Sequence, residues 1–289
     1  MRPWTAERGP GARSVPLTVI VMTWNEELNI RRCLASVGWA DQVVVVDSGS
    51  TDRTAALARE AGAEVVEHLF VDYGSQRQWS LELDIVRNDW VLFVDADEWV
   101  SDELAAEIAG QLQTTTHAGY AFRLRLIFQD RWIRHAGWYA NSLVVRLVRR
   151  DRARCVGAVS ERLVVDGSVG RLHHDIVDED LKPFEAWLAK HNRYSSLKAA
   201  ERLELLEEGV WTRVRRGLRA QPRRRVPREL AKSLLLPRVP LSPLLVFTYL
   251  AVLRGGVLDG VTGLRFCSLH AGQELAIRMK VDEARRRRP

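Results

Sequence analysis

The sequence predicts an α/β fold in which a mostly parallel sheet leads into a mixed half and then a helical, basic C-terminal extension. Short apolar runs recur at Leu17 to Met22, Gln42 to Val46, Ala63 to Glu67 and Trp90 to Val94, with the length and β-branched content of buried strands. Segments with apolar residues at helical spacing separate them, which implies parallel pairing through right-handed crossovers. Three of the runs end in acids or acid-rich loops: Thr23-Trp24-Asn25-Glu26-Glu27, Asp47-Ser48-Gly49-Ser50-Thr51-Asp52 and Asp95-Ala96-Asp97-Glu98. In a parallel sheet these ends share one edge, the edge at which such sheets bind ligands.

Taken in order, Ile30, Leu34 and Val37 mark a helix after the first loop, and an Ala-rich helix follows the second. Ser50 or Thr51 is the expected cap of that helix, and Gly62 suits the left-handed position at its end. A further helix is expected over Ser75 to Val86. The run from Trp90 stops in three carboxylates within four residues. Such a cluster is costly unless a divalent cation or ligand hydroxyls neutralise it, the competing reading being a solvated acidic loop.

Ser101 then caps an expected helix from Asp102 to about Leu112, with Asp102 and Glu103 at its positive end. Beyond it Tyr120, Phe122, Leu124, Leu126 and Phe128 alternate with Arg123 and Arg125, the period of a half-buried antiparallel strand. Leu143 to Val148, Arg162 to Val165 and Val169 to Leu172 read as more strands, with Asp166-Gly167 as a tight turn. A parallel half for a nucleotide and a mixed half for something else is a layout for two substrates.

Composition sets bounds. With 289 residues, 46% of them hydrophobic, the chain buries a sizeable core, which excludes a disordered protein. Cys33, Cys155 and Cys267 are far apart and without metal-ligand spacing, as expected of reduced thiols. Met1 to Ser14 lacks the apolar core of a signal peptide and is expected to be a mobile tail, so the protein is expected to remain cytoplasmic. Neither a Gly-x-Gly-x-x-Gly nor a Walker loop occurs, so carboxylates and metal, rather than backbone amides, are expected to hold any nucleotide.

The three acidic motifs, in this order and spacing, closely resemble the family 2 glycosyltransferases over about Pro16 to Tyr194. Gln76-Arg77-Gln78-Trp79-Ser80-Leu81, the Trp132 to Trp138 segment, Ser160-Glu161 and Asp259-Gly260 resemble, within that family, the lipopolysaccharide-core β-glucosyltransferase branch. The resemblance implies a GT-A fold, a Rossmann-like nucleotide-sugar-binding mixed sheet. It also implies a UDP-sugar donor, a divalent cation (Mg²⁺ or Mn²⁺) and inversion at the anomeric carbon. By position it puts Asp47 on the uracil ring, with Thr23, Asn25, Glu26, Ser48, Asp52 and Arg77 around the nucleotide. Asp95 falls on the ribose or the metal, and Asp97 on the metal bridging the phosphates.

Inversion requires a general base on the acceptor side. Glu161 is the candidate. Where many relatives have His-Glu, this chain has Ser160-Glu161, and the competing reading is an ordinary salt bridge from Glu161 to an arginine. His173-His174-Asp175 falls where the family often has a histidine near the diphosphate, which makes His174 a candidate third metal ligand against the alternative of a hydrogen-bonded surface residue. Trp132 and Trp138 are candidates for an acceptor-stacking wall, and Glu98 either caps the next segment or touches the acceptor.

The charge is uneven. Arg213 to Arg238 holds ten Arg or Lys against one acid, a net +9 that leaves the remainder of this +6 chain at −3. Trp211, Val214 and Leu218 lie one helical face apart among these arginines, and Leu241 to Leu253 is apolar but interrupted by Pro243 and shorter than the roughly twenty residues of a span. An anionic membrane surface is therefore the expected partner of the patch, ahead of nucleic acid.

The expected organisation is a tail over 1–14, a catalytic domain over 15–208 with halves at 15–100 and 101–208, and a membrane-associating region over 209–289. The expected activity is transfer of a hexose, glucose first among them, to a lipid-linked or lipopolysaccharide-core saccharide at the inner face of the cytoplasmic membrane. Two alternatives remain open. One is a haloacid-dehalogenase-type phosphatase, although Trp99 stands where that family wants Thr or Val; the other is a non-catalytic membrane or nucleic-acid module.

Overall fold

The computed structural model describes residues 15–137, 139, 143–157, 161–207 and 241–287. The expected N-terminal tail, Trp138, Ser160 and the basic Arg213 to Arg238 run lie outside them. The chain forms two compact units, one from the chain up to Arg134 with Trp138–Lys182, the other from His135–Gly137 with Pro183 onwards. The boundary at 182 puts the long helix Phe184–Glu207 with the C-terminal part, not with the acceptor half where it was expected.

In the first unit, β1 (Val15–Thr23), α1 (Ile30–Ser36), β2 (Ala40–Asp47), α2 (Thr54–Glu60), β3 (Glu64–Glu67), α3 (Tyr73–Leu81) and β4 (Trp90–Asp95) make the parallel half, in sheet order β3-β2-β1-β4. Register pairs Thr23 with Asp47 and Met22 with Asp95, so the three acid-bearing strand ends stand side by side as predicted. The strands are buried on both faces. Val19, Val21, Val45, Leu92 and Val94 pack on one side, where α1 supplies Cys33 and Leu34; Ile20, Val44, Val46, Val91 and Phe93 pack on the other with Leu81 and Val86. That two-sided burial is why these strands read as continuous apolar runs.

Then β5 (Glu98–Val100), α4 (Asp102–Leu112), β6 (Gly119–Phe128), β7 (Arg131–Trp132), β8 (Leu143–Arg149), β9 (Ala153–Val156), β10 (Arg162–Val165), β11 (Val169–Arg171) and β12 (Ile176–Asp178) build the mixed half. β8 lies antiparallel between β4 and β6, and β12 runs parallel to β6 and antiparallel to β5. β5, β9 and β12, of three or four residues each, are too short to show a period and were not expected. Asp166-Gly167 is a turn, with Gly167 at φ +132, but not a hairpin turn: β10 pairs with β9, whereas β11 joins β6 in parallel.

Capping also differs. Ser101 Oγ accepts from Leu104 N at 3.3 Å and starts α4 as predicted, and Gly62 adopts φ +92 after α2. Neither Ser50 nor Thr51 caps α2, however; Asp52 accepts from Thr54 N at 2.9 Å, because Ser50 and Thr51 are bonded to Asp47 and Asn25. α3 begins at Tyr73, capped by Asp72 through Ser75 N at 2.8 Å, and stops at Leu81.

In the second unit, α5 (Phe184–Glu207) packs with α7 (Gly260–Arg286), and α6 (Ser242–Thr248) leads through a π-helical turn, Tyr249–Leu253, and a 3-10 turn, Gly256–Asp259, into α7. Pro243 opens α6 at a position where its missing N–H costs nothing, so it does not interrupt the apolar segment as expected. Arg202 forks onto buried Glu274 at 2.8 and 2.9 Å, and Asp259 accepts from the backbone of His135 and Ala136 at 2.9 and 2.8 Å. Among the described residues no single helix is long and apolar enough to cross a membrane; Ser242–Leu253 and Gly256–Arg286, bent by 71°, pass on length and composition only as a pair.

α3 is seated against the β9 segment without room for a side chain, since a Cβ on Gly74 would fall 2.0 Å from the carbonyl oxygen of Gly157. Gly74→Ala is expected to cost about 1–3 kcal/mol, the range for overpacking. That corresponds to a melting temperature lower by roughly 2–4 °C per kcal/mol. A variant melting with the wild type in a thermal scan would show that α3 does not rest on this contact.

Candidate active site

The edge formed by the ends of β1, β2 and β4 carries the predicted residues. Asn25 leaves β1 at φ +52, a left-handed conformation that asparagine tolerates better than most residues. Its N–H donates to Ser50 Oγ at 2.8 Å, and its Oδ1 accepts from Thr51 N at 2.7 Å, clasping the two loops together. Asp52 joins the same clasp through Glu27 N at 3.2 Å, and its hydrogen bonds hold its carboxyl below the usual range against the cost of partial burial. Asn25 and Asp52 therefore shape the acidic edge from within the loop.

Asp47 is buried at the end of β2 and accepts from Ser50 N at 2.9 Å and Ser50 Oγ at 2.5 Å. A carboxylate has about four acceptor positions, so capacity remains for a ligand N–H. Ser48 Oγ accepts from Gln76 Nε2 at 3.0 Å, which links the β2 exit to α3. Thr23 Oγ1 is buried with no hydrogen-bond partner.

Arg77, one residue further along α3, is 6% exposed. Its Nη2 donates to Asp95 Oδ1 at 2.7 Å, its Nε to Glu161 Oε1 at 3.3 Å, and its Nη1 is buried without a partner. The other oxygen of Asp95 accepts from Arg146 Nη2 on β8 at 2.9 Å. The first acid of the loop is thus gripped on both oxygens by guanidinium groups, an arrangement that fits charge pairing better than metal ligation.

Glu98 turns inward. It is 2% exposed, accepts from Asp95 N at 2.8 Å, and meets Arg146 only at 3.4 Å. Burial pushes its carboxyl up to about 8 despite Arg146, with Asp95 and Asp178 adding to the rise. Arg146, by contrast, is held protonated by Asp95 and Glu98 against its own burial. The shorter Arg146 bond goes to Asp95. Glu98 caps its own loop and is too buried to touch an acceptor, so that expectation is corrected.

Glu26 is buried beside Asp97. It accepts from Asn29 Nδ2 at 2.7 Å and Lys182 Nζ at 2.5 Å, while burial, then the charge of Asp97, raise its proton affinity. A divalent cation in a nucleotide site needs only one or two carboxylates, the rest coming from phosphate and water. Asp97, half-buried in this acidic field, fits that part.

His174 does not. Its Nδ1 lies 2.8 Å from Glu107 on α4, and the same carboxylate takes both backbone N–H groups of His173 and His174. Those bonds hold Glu107 down at about 2 against partial burial. Among the described residues no group of three or more His, Cys, Asp or Glu is arranged to hold a metal.

Trp132 is edge-on to Tyr139, and the guanidinium groups of Arg125 and Arg134 lie over its ring at 5.0 and 5.3 Å. Its ring is thus already occupied by cations rather than bare for stacking. Trp138 is outside the described residues. Glu161 takes the arginine salt bridge that competed with its role as a base, with Arg77 as the partner.

Two site residues went unpredicted. Arg146 had a signal, a lone arginine within the apolar run Leu143-Val144-Val145-Arg146-Leu147-Val148, since a charge in a buried strand must be paired. Lys182 had none, because it reaches Glu26 across 156 positions of chain.

A parallel sheet whose acid-tipped strands meet one edge, followed by an antiparallel half, is the nucleotide-sugar-binding architecture of a GT-A glycosyltransferase domain. The model of the glycosyl transferase family 2 matches residues 18–159, and this part of the chain is a domain of that family. A Rickettsia bellii protein described as an uncharacterized glycosyltransferase is 38% identical over 117 residues, 40% of this chain and 39% of its own. The chain thus spans about two fifths of the length of that relative. The lipopolysaccharide core biosynthesis glycosyltransferase LpsC of Rhizobium meliloti is 28% identical over 66% of this chain and 73% of its own. Of solved structures, Mycobacterium tuberculosis glucosyl-3-phosphoglycerate synthase with Mn²⁺, UDP-glucose and phosphoglyceric acid matches 38% of this chain and 43% of its own at 27% identity and a TM-score of 0.34. Staphylococcus aureus TarS with UDP-GlcNAc covers 93% of this chain and 91% of its own at 14% identity and a TM-score of 0.47.

The raised Glu98 carboxyl carries a sign. A folded-state pKa near 8 against an ordinary 4.5 means the folded protein binds the extra proton, so its stabilising contribution is complete below about pH 4.5 and fades as pH rises through about 8. Glu98→Gln removes this dependence while keeping an acceptor for Asp95 N. The melting temperature of wild type relative to Glu98→Gln is therefore expected to fall steadily between pH 5 and 8; a constant difference would refute the raised carboxyl.

Proposed function

We propose that the protein is an inverting, metal-dependent hexosyltransferase using a UDP-sugar, with UDP-glucose the first donor to test, and a lipid-linked or lipopolysaccharide-core saccharide as acceptor. The observation that carries this reading is the pair of buried, unpartnered polar atoms at the acidic edge, Thr23 Oγ1 and Arg77 Nη1. Buried polar groups without partners are expensive, and a donor bringing hydroxyl and phosphate oxygens supplies what they lack. The LpsC likeness over two thirds of the chain supports the choice of acceptor.

In this reading Asp47 and Thr23 receive the nucleoside, and Arg77 presents Nη1 to the diphosphate. Asp97 holds the Mg²⁺ or Mn²⁺ ion, which when bound supplies charge stabilisation to the departing diphosphate. Glu161, on the mixed half, takes the proton of the acceptor hydroxyl opposite the leaving group.

The same proposal places the protein at the inner face of the cytoplasmic membrane. In the second unit Leu244, Leu245, Val252, Leu253, Val257, Leu258 and Val261 are all at least half exposed, on the bent segment that follows the cationic Arg213 to Arg238 run in sequence. Exposed apolar side chains next to clustered positive charge suit an anionic leaflet.

Titration with UDP, with and without Mn²⁺, tests the donor site. Metal-dependent binding that Asp97→Ala abolishes is expected, and UDP failing to bind in either condition would sink the reading. Glu161→Gln should keep UDP binding and lose transfer by about two to four orders of magnitude; near-normal transfer removes Glu161 from the mechanism.

Cosedimentation tests the membrane. Phosphatidylglycerol vesicles should bind the protein and release it at high salt. The double variant Val252→Asp/Leu253→Asp should bind at least about tenfold more weakly, the weight of two lost apolar side chains. Equal binding by the variant rules out this surface.

A further inference from the structure

Five charged side chains form one continuous relay in the first unit: Glu98, Arg146, Asp95, Arg77 and Glu161, joined by contacts of 3.4, 2.9, 2.7 and 3.3 Å. Both arginines are largely buried, at 14% and 6% side-chain exposure, whereas Asp95 between them is 32% exposed. The central acid can therefore face a ligand while its two anchors cannot move into solvent.

We infer that Arg146, which lies outside the three acidic motifs, is a positioning residue of the donor site that acts through Asp95. The inference rests on the proposed UDP-sugar site and adds to it the residue that sets that site's geometry. Arg146 takes Asp95 Oδ2, Arg77 takes Oδ1, and together they fix the plane of the carboxylate. A bidentate grip from two rigid forks removes the rotational freedom that a single partner leaves.

The second effect falls on Arg77. Its three nitrogens serve three functions: Nη2 on Asp95, Nε on Glu161, and Nη1 unpartnered. If Asp95 loses Arg146, its second oxygen turns to Arg77, and Arg77 can follow only by giving up its alignment to Glu161 and to the place where Nη1 points. Arg146 thus governs donor binding and the orientation of the acceptor-side carboxylate chiefly through Asp95, since its ion pairs go to Asp95 and Glu98 and Glu161 reaches it by charge alone.

Glu98 is the counterweight. It sits behind Arg146 and bonds Asp95 N, so the loop's backbone and its carboxylate are tied to the same guanidinium. A lysine here keeps one positive charge, but a single ammonium lacks the fork that spans Asp95 and Glu98 together.

A double-mutant cycle on UDP affinity, measured by calorimetry, separates this from a merely structural role. Arg146→Lys is expected to fold, with a melting temperature close to wild type, and to bind UDP about tenfold more weakly. In an Asp95→Asn background the same substitution should change UDP affinity less than twofold, because its target is gone. An additive loss in that background, or unchanged affinity of Arg146→Lys in the wild-type background, overturns the inference. Should Arg146→Lys not fold, Arg146→Met combined with Glu98→Gln removes both members of the buried pair at once and enters the same cycle. Absence of UDP binding by the wild type itself would instead strike the proposed donor site.

Discussion

Two arginines closing on one aspartate hold the working edge of this protein together. β4 is buried on both faces and delivers Asp95 at its tip, where an unneutralised carboxylate beside Asp97 and Glu98 would repel its neighbours. Arg77 comes from the parallel half through α3, and Arg146 from the mixed half through β8, so the aspartate is where the two halves of the sheet are joined electrostatically. The antiparallel insertion of β8 beside β4 then has a local use, since it places an arginine level with the acids. The tight seat of α3 at Gly74 and the inward turn of Glu98 both serve the same grip.

How much of this could be read from residues alone depended on the range of the interaction. The parallel half was legible because two-sided burial writes itself as unbroken apolar runs, and because acids at strand ends are conspicuous against them. The short strands β5, β9 and β12 were not, since three or four residues carry no period, and β5 and β12 pair with each other and with β6 across long stretches of sequence. The same rule sorts the site. Asp47 and Asp97 stand in recognisable motifs, whereas Lys182 is chosen by a contact with Glu26 that no local pattern announces. His174 was picked out because histidine at a strand end is chemically versatile, but its partner Glu107, on α4, had no local signal.

The acids of the opening loop, which look alike in sequence, have separate environments. Asp95 is paired twice, Glu98 is buried and shifted, and Asp97 lies in the field of Glu26. Three carboxyls within four residues therefore differ in exposure and partner before any ligand arrives. Beneath them Cys33, fully buried, points its thiol at the Asp95 carbonyl at 3.8 Å, and burial pushes that thiol well above its ordinary range. It is floor, not reagent.

Asn25 has a consequence for how this loop can change over generations. Its backbone at φ +52 would be most comfortable as glycine, but glycine has no oxygen for Thr51 N; a β-branched residue could supply neither the angle nor the amide. The two demands intersect at asparagine and, more weakly, aspartate. Neutral drift at this position is confined to a corridor about two residue types wide, and any lineage that leaves it must first rebuild the neighbouring β2 loop.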